Sequence, residues 1–173
     1  MTALPRHPAS KLPEAARIEY LNTVASMALV DKSLDPAELE RVGRLADEIG
    51  LSAAVKAEQL VALSEGRTAE VGRDVLLRFA AEADLRTSLM MDSIVIAFSD
   101  GRLVPSESRQ LSTLATALWL NLDDVLATAR LVESFLFARD NDEEQELARQ
   151  LGEALAGAPG WLRRVSGVML VAP

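Results

Sequence analysis

Five carboxylates are spaced in a way that could do chemistry. Asp31, Asp35 and Glu38 crowd one short stretch, and Asp100 and Glu107 occupy matching places further along the chain. A hard divalent cation takes clustered carboxylate and carbonyl oxygens, so the pattern points to Ca or Mg ahead of Zn. It does not make an EF-hand. Asp31, Ser33 and Asp35 suit the first three side-chain positions of such a loop, but Pro36 replaces the glycine it needs and Val42 stands where its bidentate Glu belongs. The same acids also have a purely structural explanation: Asp35 with Glu38 reads as a capping box, Asp100 with Gly101 as a turn, and Glu107 as a first-turn acid favoured by the helix dipole.

Other chemistry is sparsely provided for. The single histidine, His7, falls in a Pro-rich leader, and the chain has no cysteine, Gly-rich phosphate loop or nucleophile elbow. The expectation is a protein without catalytic residues, with a carboxylate and metal hydrolase as the weaker alternative. Asp92 interrupts the apolar run LMMDSIVIAF, where an unpaired acid would be expensive to bury. It reaches the surface, pairs with an arginine such as Arg73, Arg78 or Arg86, or has a functional role by adding to the acidic group at Asp100, two turns further on. Asp123 with Asp124, and the run from Asp140 to Glu144, stand at expected helix starts.

Charge and composition narrow the classes further. With 18 Lys and Arg against 26 Asp and Glu, the formal charge of -8 disfavours a phosphate-neutralising surface, so no nucleic-acid partner is expected. The absence of cysteine fits a reducing compartment, and no signal-like or membrane-spanning apolar run is present, so a cytoplasmic location is expected.

The elements that must position these acids are helical. Few aromatic or β-branched runs and abundant Ala and Leu predict an all-α fold, a compact bundle of about eight or nine helices. Residues 1–12 read as a flexible leader and 13–173 as a single domain. Apolar spacing predicts a helix over 13–30. Asp35 and Pro36 then open a second that Gly50 terminates, and Ser52 caps a third to Ser64. Thr68 is expected to cap a fourth, and LRTSLMMDSIVIAF to form a largely buried fifth. Leu118, Trp119 and Leu120 read as core. Further helices are expected from Asp123 to Ala138 and from Asn141 to Leu155. The segment at 161–170 sets Trp161, Leu162, Val165, Val168 and Met169 opposite Arg163 and Arg164, and is expected to close the core.

The chain also repeats itself. At one constant offset, Ala28, Leu29, Asp31, Leu34, Pro36, Glu38, Leu45, Ala46 and Leu51 fall on Ala97, Phe98, Asp100, Leu103, Pro105, Glu107, Leu114, Ala115 and Leu120. Each copy is a helix, an acidic turn and a helix, within repeat units of about 14–65 and 84–139.

The stretch LMMDSIVIAFSDGRLVPSESRQLSTLATALWLN resembles the recurring unit of the tellurite-resistance TerB-like family: an apolar helix ending in Ala-x-x-Asp-Gly, a short apolar step, then a helix opening with Glu. The earlier stretch ASMALVDKSLDPAELERVGRLADEIGLS resembles the same unit, with Lys32 in place of the glycine, while Val104 of the later copy stands where the earlier has Asp35. The resemblance implies an all-helical fold, association with tellurite resistance and related stress or membrane-linked systems, and acidic residues that hold divalent cations. The expected function is a non-catalytic module acting through a protein partner, in a peripheral membrane-associated complex or an oligomer. A scaffold or adaptor without metal is the alternative.

Overall fold

In the computed structural model the described residues are 6–29, 34–67, 71–99 and 103–123, with positions 125, 129, 130 and 132. They form a 3-10 turn, Pro8–Lys11, and six helices: α1 Glu14–Ala28, α2 Pro36–Glu48, α3 Ala53–Ser64, α4 Arg73–Ala81, α5 Ala83–Ala97 and α6 Pro105–Ala117. The all-α expectation holds, and no strand occurs among the described residues. The helix expected from Asp123 is described only at scattered positions; the one from Asn141, and the 161–170 segment, lie outside the described residues.

Local signals explain most boundaries. Asp35 caps α2, Pro36 pre-sets its first turn, and Ser52 caps α3 by accepting from the Val55 N–H. Gly50 adopts φ 77 and Gly66 φ 70, left-handed conformations in which glycine escapes the Cβ penalty. The start of α4 differs from the expectation at Thr68, a residue outside the described set. The helix begins at Arg73 behind Gly72, which provides no capping side chain. A Cβ on Gly72 would come within 2.5 Å of Asp74 Oδ1, but that atom ends an exposed, flexible side chain that can swing aside.

The core forms around α1 and α5, which pack principally against each other. Tyr20, Leu21, Val24 and Ala25 of α1 meet a helix that buries Leu85, Leu89, Met90, Met91, Ile94 and Ile96. Because so much of its circumference is apolar, α5 also contacts α2, α4, α6 and the 3-10 turn. α2 packs on α3, and Val42, Leu45, Ala46 and Ile49 complete the cluster.

Two pairs of helices share the same spacing and lengths. α5 begins at Ala83, 69 residues after α1 begins at Glu14, and α6 begins at Pro105, 69 after α2 begins at Pro36; each matched pair has the same length, 15 and 13 residues.

Candidate functional site

The acidic turns behave first as helix caps. Asp35 Oδ1 accepts from the Glu38 N–H at 2.8 Å, and Glu38 Oε2 accepts from the Asp35 N–H at 2.7 Å, so the full capping box is formed. In the matching turn, Glu107 Oε2 accepts from the Val104 N–H at 2.9 Å. Valine has no side-chain acceptor, so only this half of the box exists. Both glutamates are nearly sealed, Glu38 at 5% and Glu107 at 7% exposure. Folding back over the backbone turns each carboxylate inward instead of toward solvent. Asp31 and Asp100 lie outside the described residues, and among the described residues no three His, Asp or Glu side chains gather closely enough to hold a cation.

A second polar group was not visible as a group in the sequence. Among the described residues Asp92 does not pair with an arginine: its Oδ2 accepts from the Tyr20 hydroxyl at 2.6 Å and lies 3.0 Å from His7 Nε2. Arg78 bonds Glu19 instead. His7 caps the 3-10 turn, its Nδ1 accepting from the Ala9 N–H at 3.1 Å. Nδ1 is therefore the bare nitrogen, and Nε2 carries the hydrogen that points at Asp92. Tyr20 stands edge-on to both His7 and Phe79, with ring centroids 5.6 and 5.5 Å away. Burial, reinforced by the Asp92 charge, raises the Tyr20 phenol well above its ordinary range.

His, Asp and Tyr are the residue types of a proton-transfer site, but here the Tyr20 hydroxyl, both His7 ring nitrogens and Asp92 Oδ2 have internal partners. One carboxylate oxygen serves two donors, one ring nitrogen caps a turn, and the other holds the carboxylate. The grouping ties residues 7–12 to α1 and α5, so the stretch read as a leader is, from His7 to Leu12, part of the packed structure. The sequence signal for it was the His-Pro step, a polar side chain one residue before a proline, which is an N-cap arrangement.

The carboxyl end of α2 closes at Gly50 as expected, whereas that of α6 departs from expectation. Arg17 of α1 donates through Nη1 to the carbonyl of Ile49 at 3.2 Å and to that of Gly50, covering the end of α2 with positive charge. Arg86 stands 69 residues after Arg17, and the Nε of each arginine is buried without a hydrogen-bond partner. Of the trio read as core at the end of α6, Leu118 is fully buried and Leu120 partly so, but Trp119 is 66% exposed. Its φ of 55 directs the side chain out of the helix line, while Leu118 and Leu120 turn inward.

The chain matches no protein-family model, no curated protein and no solved structure.

Proposed function

We propose that the protein is a non-catalytic helical module of the tellurite-resistance TerB-like kind, built as a duplicated helix-turn-helix unit and acting through a protein partner. The observation that carries this reading is the pair Glu38 and Glu107. Each is buried at the third position of the second helix of its unit, and each folds over the backbone N–H of the residue before that helix. Identical spacing of α1 with α2 and of α5 with α6 supports descent of both units from one pattern. The acidic turns then fix the angle at which the two helices of each unit leave the turn, and that angle shapes the surface offered to a partner.

A divalent cation, Ca or Mg ahead of Zn, is the second reading. It is favoured by two sealed glutamates on turns whose sequence also carries Asp31 and Asp100. In that reading the ion neutralises Asp31, Asp35 and Glu38 in one turn and Asp100 and Glu107 in the other, biasing the helix angle. The deciding experiment is thermal melting of chelator-treated protein with Ca, Mg, Mn and Zn, beside Asp31→Asn/Asp100→Asn. An ion that prefers the folded state raises the Tm, and the double variant loses the rise. Equal melting with and without every ion leaves the acids as caps. For the module itself, partner capture by wild type but not by a Glu38→Ala/Glu107→Ala variant that still folds supports the reading; capture unaffected by that change removes it.

A further inference from the structure

The 3-10 turn ahead of α1 holds its own shape. Ser10 N–H donates to the His7 carbonyl at 3.0 Å, Leu12 N–H to that of Ala9 at 3.1 Å, and the His7 ring caps the Ala9 N–H. Among the described residues a single hydrogen bond, His7 Nε2 to Asp92 Oδ2 at 3.0 Å, joins residues 6–12 to the helices. The rest of the attachment is burial: His7 is 3% exposed, Ala9 is fully enclosed and Leu12 packs partly buried against the core, with the turn lying on α1 and α5.

The joint between this turn and α1 is Leu12 and Pro13, both extended, at φ -73, ψ 154 and φ -56, ψ 151. Proline fixes its own φ and bars the residue before it from the helical region, so the joint is stiff as well as short. The seat for His7 is made by the helices: Tyr20 of α1 and Asp92 of α5, with Phe79 of α4 edge-on to Tyr20. None of these seat residues belongs to the turn or the joint, so every copy of the chain carries one turn and one matching seat. A self-contained element on a short, stiff joint is the arrangement that invites exchange of that element between two copies.

We propose that the seat on α1 and α5 is an interface for a second copy of this chain, two copies exchanging the turns ahead of α1 so that His7 of each donates to Asp92 of the other. The contact is two-fold and self-complementary. Exchange replaces the His7–Asp92 bond and the burial of Ala9 with identical ones, so its balance rests on the joint and on concentration. Within one copy the joint holds the turn beside its own seat at a high effective concentration, and the dimer takes over only as the protein concentration rises. Opening costs one hydrogen bond to the helices and the burial of a few side chains, and leaves the packing of α1 on α5 in place. The imidazole makes the match specific: Nδ1 accepts from the Ala9 N–H while Nε2 donates to the carboxylate, two tasks that a neutral ring performs together. The interface uses neither acidic turn, so it goes beyond the module reading and does not depend on it.

Complementation in the full chain tests this. His7→Ala keeps the seat and loses the anchor, whereas Asp92→Ala keeps the anchor and loses the seat. Refolded together from urea at about 1 mM, the two are expected to form a heterodimer with one native seat, melting about 3 °C above either variant alone, while neither variant dimerises by itself. Light scattering on a sizing column counts the copies. Wild type treated alike is expected to yield dimer, and a Gly-Ser-Gly insertion between Leu12 and Pro13 to return it to monomer, since a slack joint lets each turn reach its own seat. A mixture that behaves as the sum of its two variants, or wild type that stays monomeric, overturns the exchange. So does a dimer that His7→Ala forms on its own, because its interface lies elsewhere. If neither variant folds alone, a gain of fold on mixing supports the exchange and no gain removes it.

Discussion

His7 and Asp92, 85 residues apart in sequence, meet at 3.0 Å and share the buried hydroxyl of Tyr20 as a third member. Removing the carboxylate strands two buried donors at once. Asp92→Ala is therefore expected to destabilise by on the order of 3 kcal/mol, and Tyr20→Phe by about 1 kcal/mol, since it removes donor and demand together. Urea unfolding of both variants checks this. The His7→Ala/Asp92→Ala double variant is expected to lose less than the sum of its singles, the mark of a shared network.

The raised Tyr20 phenol sets an alkaline limit. Its folded-state value lies above the ordinary 10.0, so the folded chain favours the protonated hydroxyl. That contribution is complete below pH 10 and is lost as pH rises from the ordinary value toward the folded one. Because this is the only tyrosine, absorbance near the phenolate band reports it alone. Ionisation is expected to coincide with loss of helical circular dichroism; phenolate formation with full helicity retained counts against the buried hydrogen bond.

The two N-caps are unequal in a measurable way. Asp35→Ala breaks a complete box and is expected to cost about 1 kcal/mol. Val104→Asp supplies the missing acceptor at the matching position and is expected to add about 0.5–1 kcal/mol. Melting curves of the two single variants should move in opposite directions.

Gly50→Ala tests the end of α2. The substitution meets both a left-handed φ and the Arg17 guanidinium, so a loss of about 1–2 kcal/mol is expected. Repeating it in an Arg17→Ala background separates the two causes: the part due to the guanidinium disappears and the backbone part remains.

What the sequence made legible was local. Asp35, Pro36 and Glu38 announce the start of α2, Ser52 that of α3, and Gly50 the end of α2, because each signal acts within a turn of its own position. Burial of α5 followed from its continuous apolar content. Three features escaped because their causes are distant or geometric. His7 looked like leader because its partner comes 85 residues later. Asp92 was matched to arginines by charge, whereas hydrogen bonding from a phenol and a neutral imidazole satisfies it. Trp119 was read as core on residue type, and only its φ shows that the helix ends in a way that turns it outward. Of the acids singled out for a cation, Asp35 and Glu38 form the capping box that their spacing implied, and Glu107, read as a first-turn acid, caps as well by accepting from the Val104 N–H.

The pairing of α1 with α5 also orders events on the ribosome. Tyr20, Leu21, Val24 and Ala25 leave the exit tunnel long before α5, whose first residue follows that of α1 by 69 positions. Until α5 emerges, the stripe they form lacks its principal partner and has only the 3-10 turn, α2 and Phe79 of α4 to cover part of it, the kind of transiently exposed surface on which a chaperone acts.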